Sequence, residues 1–350
     1  MGDQSAPEMA TRRRPPGPRN AGKARGRGGQ PRLYAALDLG TNNCRLLIAR
    51  PQGDGFAVVD AFSRIVRLGE GLAASGRLSD AAIERTIAAL RVCADKLKRR
   101  QVTLARSVAT EACRRASNGS EFIARVRAET GIRLDIISAE EEARLAVLGC
   151  HALLEPGDGP ALVFDIGGGS TELVLIDATE PVPRVLDWHS APWGVVSLTE
   201  AHGERAGGGH RAAYDRMYAV ATESFDAFAR RLAERGMPPG DTDVRLLGTS
   251  GTVTTLASVH LGLAAYDRAQ VDGLIVPAPA MRGISARLAD MDMAARATVP
   301  CIGQERADLV VAGCAILEAI LDLWPAPRLG IADRGIREGI LRRLMDGDRA

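Results

Sequence analysis

The sequence predicts an α/β protein assembled from two copies of one lobe, preceded by a basic tail. Two observations carry this. A short apolar strand ending in aspartate, a polar or glycine-rich turn and a second apolar strand occur twice, as Ala-Leu-Asp-Leu-Gly-Thr-Asn-Asn at 36–43 and Phe-Asp-Ile-Gly-Gly-Gly-Ser at 164–170. Asp38 and Asp165 lie 127 residues apart, too long for a solenoid period and right for a duplicated domain. Around these hairpins strand-like and helix-like segments alternate, the pattern of a layered α/β lobe. The 350 residues suffice for two domains of ordinary size. A turn at Leu153 to Gly159, with Pro156 and two glycines, divides the chain into 33–150 and 151–346.

Residues 1–32 are rich in Gly, Pro and Arg and nearly lack large apolar side chains, so disorder is expected there. The segment carries eight Lys/Arg against Asp3 and Glu8, a formal +6; the whole chain is +2, so the remainder is −4. A mildly acidic body is not the footprint of a nucleic-acid binder. The tail reads either as a solvated extension or as an arm that captures a polyanion.

Tyr34 to Asp38 and Arg45 to Ala49 form the first hairpin around Gly40 to Asn43. Leu78 to Arg99 is helical, capped by Ser79, with Ile83, Ile87, Leu90, Ala94 and Leu97 at helical spacing. Val102 to Val108 reads as a strand, Ser120 to Thr130 as a helix, Ile132 to Ile137 as a strand and Ala139 to Leu148 as a helix. Ala161 to Asp165 and Glu172 to Ile176 make the second hairpin. A helix from about Ala212 to Arg235, a strand Val244 to Leu247, a glycine turn and a helix Val253 to Leu261 follow. The chain closes with a helix around Asp308 to Leu323, a strand Leu329 to Ala332 and a helix Gly335 to Met345.

Composition excludes several classes. Hydrophobic residues at 46% and charged residues at 25% indicate a globular body. The six cysteines form no Cys-x-x-Cys pair and no zinc-ligand spacing with the five histidines, which suits free thiols in a reducing cytoplasm. No apolar stretch reaches the ~18 residues of a membrane helix, and the basic N-terminus lacks the apolar core of a secretory signal.

The chemistry sits in the turns. Glycine two residues after each aspartate lets successive N–H groups point into one concavity. Thr41, Asn42, Asn43, Ser170 and Thr171 add donors around Gly167, Gly168 and Gly169. Two such turns face to face would grip phosphoryl oxygens, with Asp38 and Asp165 holding Mg²⁺. Gly248, Ser250, Gly251 and Thr252 follow a strand and open a helix, either an anion site or a structural turn. Read alone, Glu142 is a solvated helix carboxylate and Arg114 is a salt bridge or a ligand contact. Glu172 heads an apolar strand, where a carboxylate needs a partner or a metal.

Seven ordered segments carry a family resemblance: 37–48, Val-Ala-Thr-Glu-Ala-Cys-Arg (108–114), Ile-Ser-Ala-Glu-Glu-Glu-Ala-Arg-Leu (137–145), 164–174, Gly-Thr-Ser-Gly-Thr (248–252), Arg-Ala-Asp-Leu-Val-Val-Ala-Gly (306–313) and Asp-Arg-Gly-Ile-Arg-Glu-Gly-Ile-Leu (333–341). Together they resemble the exopolyphosphatase / guanosine-pentaphosphate phosphatase family over about residues 33–345. The resemblance implies two actin-like (ribonuclease H-like) lobes around a phosphate site, and a hydrolase of phosphoric anhydrides. It implies Glu142 as the base that activates water, Asp165 and Glu172 as acids that orient that water or its metal, Asp38 at the first phosphate turn, and Arg114 on phosphate. Inorganic polyphosphate is the expected substrate and guanosine penta- or tetraphosphate the alternative. A non-enzymatic sensor of either, and a sugar kinase, are the readings from other classes. A cytoplasmic homodimer, bound to neither membrane nor specific nucleic acid, completes the expectation. The chain ends before the helical C-terminal domain of larger members, which bears on processivity.

Overall fold

The computed structural model describes residues 32–348, apart from 181, 208 and 241–243. The expected disorder of residues 1–32 therefore lies outside the described residues, except at Arg32, whose side chain is exposed and pairs with Asp348.

The first sheet comprises β1 (Tyr34–Leu39), β2 (Asn43–Gln52), β3 (Gly55–Ile65), β4 (Leu104–Ala109) and β5 (Leu134–Ile136), in the order β3-β2-β1-β4-β5. Interleaved helices are α1 (Leu72–Ser75), α2 (Asp80–Arg99), α3 (Glu111–Arg115), α4 (Gly119–Thr130) and α5 (Ala139–Cys150). The second sheet holds β6 (Pro160–Ile166), β7 (Thr171–Asp177), β8 (Arg184–Ala191), β9 (Arg245–Thr249), β10 (Ile275–Pro277) and β11 (Arg328–Ala332), ordered β10-β11-β9-β6-β7-β8. Its helices are α6 (Val195–His202), α7 (Gly209–Glu234), α8 (Gly251–His260), α9 (Arg268–Val271), α10 (Ala278–Asp290), α11 (Met293–Thr298), α12 (Gly303–Arg306), α13 (Val310–Leu323) and α14 (Ile336–Gly347).

The two sheets repeat one topology. In each, the first strand pairs antiparallel with the second and parallel with the strand that follows the first long crossover. This is the doubled actin-like α/β architecture, and the duplication expected from the two hairpins is present in the hydrogen-bond register. Asp38 stands opposite Arg45 across β1 and β2, and Asp165 opposite Glu172 across β6 and β7.

β1 is buried along its whole length, and β6 nearly so, because helices cover both faces. One face of the first sheet packs on α2 and α4 through Leu37, Leu46, Ile87, Leu90 and Phe122. The other packs on α5 and α14 through Ala36, Leu47, Leu145, Ile340 and Leu341. Helix α5 also turns Ala143, Val147 and Cys150 onto Val163, Val174 and Leu247 of the second sheet. It is shared between the sheets, and α14, last in the chain, returns to lie against it. The larger core joins the second sheet to α7 and α13, where Trp324 sits against Phe225 and Phe228.

Ser79 and Ser138 accept backbone N–H groups at the starts of α2 and α5, as N-caps do. The expected strand at Ile132 to Ile137 is shorter, Leu134–Ile136. Sequence reading passed over β3 and β8, flanking strands whose residues are half-buried or exposed apart from Ala191.

Candidate functional site

The two hairpin turns close in the same way. Gly40 N–H donates to Asn43 O at 2.9 Å, and Gly167 N–H donates to Ser170 O at 3.0 Å. The turns meet across the cleft between the sheets. A Cβ on Gly169 would lie 2.6 Å from Thr41 Oγ1 and 3.0 Å from Glu111 Cγ; one on Gly168 would lie 3.1 Å from Thr41 Cβ. The glycine triplet is thus required by the approach of the facing lobe as well as by the turn itself.

The cleft is lined by Asp38, Thr41, Asn42, Asn43, Glu142, Asp165, Gly167, Gly168, Gly169, Ser170 and Ser250. All of these were picked out from the sequence. Gly251 and Thr252 line an adjoining passage that continues past Asn42 and Arg45. Four expected residues stand back from the cleft. Thr171 is fully buried and donates its hydroxyl to Trp193 O at 2.7 Å. Gly248 packs against the Phe164 ring. Glu172, 2% exposed, accepts the hydroxyls of Ser170 (2.7 Å) and Ser190 (2.9 Å). Arg114 spends its guanidinium on Glu142 Oε2 (2.7 Å), Ile137 O (2.9 Å) and Glu111 Oε2 (2.8 Å).

Burial drives the electrostatics. It pushes the Glu142 carboxyl well above the usual carboxylate range, nearby Glu172 adds to the shift, and Arg114 opposes it. Glu172 is also raised, by burial first and then by Asp165. Burial pushes Asp165 up to about 6 against a hydrogen bond from the Ser250 hydroxyl. Asp38 is raised by burial and held back by Arg45 and Arg337. Three carboxyls raised by burial thus line one cleft with a fourth, Glu172, behind it, the condition in which protons are exchanged near neutrality. Ser250 itself has φ 82°, a left-handed backbone that costs a non-glycine residue energy.

Sequence reasoning missed the cleft's cations. Arg45 and Arg337 line it, and among the described residues neither forms an ion pair. Arg306, in the adjoining passage, contacts Thr255 Oγ1 at 2.7 Å and likewise forms no ion pair there. Arg45 was legible in principle from its register opposite Asp38. Arg337 was not, because α14 reaches the cleft only by crossing back to the first lobe. Glu111, Asp333 and Arg334 also line the cleft.

The crowding sets a pH dependence. Asp165 in the folded, metal-free protein binds its proton more tightly than in the unfolded chain. Its contribution to stability is present below about pH 4 and lost as pH rises through about 6. Thermal melting with chelator present is expected to show stability falling between about pH 4 and 6. Asp165→Asn should remove on the order of 2 kcal/mol of that fall; an unaltered pH slope would contradict the assignment.

Fold and site together define an actin-like α/β protein with a carboxylate-floored, guanidinium-lined cleft between its lobes. The chain belongs to the Ppx/GppA phosphatase family, whose profile matches residues 47–347. It is 34% identical to exopolyphosphatase 2 of Mycobacterium tuberculosis, over 89% of this chain and 98% of that protein. Among solved structures it is similar to the Aquifex aeolicus member of the Ppx/GppA family (27% identity, TM-score 0.72, covering 91% of this chain and 99% of that one). An exopolyphosphatase from Cytophaga hutchinsonii shares the fold at 23% identity and TM-score 0.79, covering 90% of this chain and 98% of that one.

Proposed function

We propose that the protein is an exopolyphosphatase, hydrolysing terminal orthophosphate from inorganic polyphosphate. The observation that carries this is Glu142: a buried carboxyl of raised basicity, fixed by Arg114, at a cleft where two backbone turns and two unpaired guanidiniums converge. In this reading the turns Thr41 to Asn43 and Gly167 to Ser170 hold the terminal phosphoryl group by backbone and hydroxyl donors. Glu142 takes a proton from a water whose oxygen bonds to the terminal phosphorus. The bridging P–O bond breaks, and the shortened chain leaves as an anion whose charge Arg45 and Arg337 offset. Asp165 orients the water, and Glu172, tied to Ser170, holds the glycine turn and keeps Glu142 basic. Arg114 is a positioning residue here rather than a phosphate ligand.

A divalent cation, Mg²⁺ by its preference for carboxylate and phosphate oxygen, fits Asp38 and Asp165. Asp38 Oδ1 is buried without a hydrogen-bond partner, an oxygen in want of a cation. Among the described residues no group of three or more His, Cys, Asp or Glu forms a ligand cluster; Mg²⁺ commonly needs only one or two carboxylates beside substrate oxygens. Bound, it would neutralise phosphate charge during attack. Asp38→Ala is expected to raise the Mg²⁺ concentration for half-maximal activity more than tenfold, checked by titrating the metal at fixed substrate.

One observation favours a second substrate. The adjoining passage has apolar walls from Ile166, Val195, Leu309 and Val310 beside Thr252 and Thr255, which suits a nucleoside attached to the phosphates, as in guanosine pentaphosphate. Phosphate release from medium-chain polyphosphate and from guanosine pentaphosphate, measured side by side with Mg²⁺, decides between them; release from neither would favour a sensor. Among the described residues no helix is long and apolar enough to cross a membrane, and no cysteine is in a disulfide. A cytoplasmic homodimer belongs to the same proposal, and light scattering of the purified protein tests the dimer.

A further inference from the structure

The segment Val66 to Gly71 links the first phosphate turn to the second lobe. Its backbone carries the turn: Val66 and Arg67 N–H both donate to Asn42 O, at 2.9 and 3.0 Å, and Gly69 N–H donates to Thr41 O at 2.9 Å. From behind, Arg85 of α2 fixes the segment, donating to Val66 O (3.1 Å) and Arg67 O (3.3 Å) and pairing with Glu70 at 2.6 Å. From the front, the segment is held by the other lobe. Arg67 pairs with Asp308 at 3.1 Å and donates to Glu305 O at 3.2 Å. Gly71 N–H donates to Glu200 Oε1, on α6, at 2.9 Å.

Arg67 adopts φ 47°. A long β-unbranched side chain pays for a left-handed backbone only where its surroundings require that conformation. Here it lets one residue send its N–H to Asn42 O and its guanidinium to the facing lobe. Its side chain is 35% exposed and that of Asp308 31%, so the pair is worth little as a stability element. Its place matters more. It lies between the turn that presents Thr41, Asn42 and Asn43 to the cleft and the chain leading into α13, which walls the adjoining passage with Leu309 and Val310.

We infer that Arg67 is a positioning residue: through Asp308 and Glu305 it sets the first phosphate turn against the glycine turn of the second lobe, so that substrate meets both turns in register. The turn is pre-ordered by this strap, and a substrate binding to it need not order it again. The inference rests on the phosphatase reading only for the nature of the substrate, not for the coupling itself.

Four proteins test it: Arg67→Gln, Asp308→Asn, the double variant, and the charge exchange Arg67→Asp with Asp308→Arg. Each single change is expected to raise KM for medium-chain polyphosphate about threefold to fivefold with kcat within about twofold of the parent. The double variant should match the singles rather than multiply them, because one interaction is lost in all three. The exchange should recover at least half of the lost affinity. Hydrogen exchange of peptides spanning 40–46 and 66–72 needs no substrate, and is expected to quicken in the singles and to slow again in the exchange. Unchanged exchange in those peptides, or multiplicative KM effects in the double variant, would overturn the inference. Quickened exchange without any polyphosphate hydrolysis in the parent would uphold the coupling and reject the substrate assignment alone.

Discussion

Glu142→Gln is expected to lower kcat for phosphate release about a thousandfold, with KM nearly unchanged, since a positioned general base contributes roughly 10²–10⁴. The substitution keeps shape and keeps an oxygen to accept from Arg114 Nη1, which reaches Glu142 Oε2 at 2.7 Å. It removes only the capacity to take a proton. A residue with a merely structural role would show its loss in melting temperature. Here the sign runs the other way. Burial and the neighbouring Glu172 raise the Glu142 carboxyl, so at neutral pH the charged form is the costly one. The amide relieves that cost, and the variant should melt at the parent's temperature or higher. Calorimetry beside a phosphate-release assay checks the pair of outcomes. Turnover within tenfold of the parent would remove Glu142 from the mechanism, and a fall in melting temperature would assign it to structure.

What was legible in the sequence follows from how local each signal is. The hairpins were readable because a buried strand, an aspartate and a glycine turn are consecutive residues. Their duplication gave the architecture before any contact was known. The carboxylates Asp38 and Asp165 were found because they sit in such local patterns; Glu142, which alone reads as a solvated helix carboxylate, was singled out only by the family resemblance of the segment around it. Arg45 and Arg337 were not. In the sequence each is one arginine among many, and only the sheet register and the return of α14 bring them to the cleft without an ion-pair partner. Arg114 stayed open between a salt bridge and a ligand contact because nothing in the sequence reveals that Glu111, three residues earlier, and the Ile137 carbonyl accept from its guanidinium. The strap at Arg67 was invisible for a similar reason: its partner lies 241 residues away.

The return of α14 makes the second large prediction. Helices α5 and α14 cross with their backbones in contact at Gly149 and Gly339. A Cβ on Gly339 would fall well under 3.0 Å from Leu145 O, and one on Gly149 as close to Gly335 O. Two effects compete in Gly339→Ala. In a helix interior the change gains about 1 kcal/mol of propensity. Against it, the obstacle is a backbone carbonyl, which cannot rotate aside as a side chain can. The helices must separate, and Ile340 and Leu341 lose their fit against Leu47 and Leu145. Overpacking of this kind costs about 1–3 kcal/mol, and more where backbone must move. The crossing therefore wins, and a net loss of about 2 kcal/mol or more is expected, read as a lower urea midpoint. Activity should fall further than stability. The residues just before α14, Asp333 to Gly335, and its first turn, with Arg337, line the cleft, so a shift of α14 displaces a cleft guanidinium. Gly347→Ala, in the same helix with nothing near its Cβ, is the control that should leave both unchanged. A Gly339→Ala protein as stable as the parent would mean that the helices tolerate separation, and that the position of Arg337 is set by something other than this crossing.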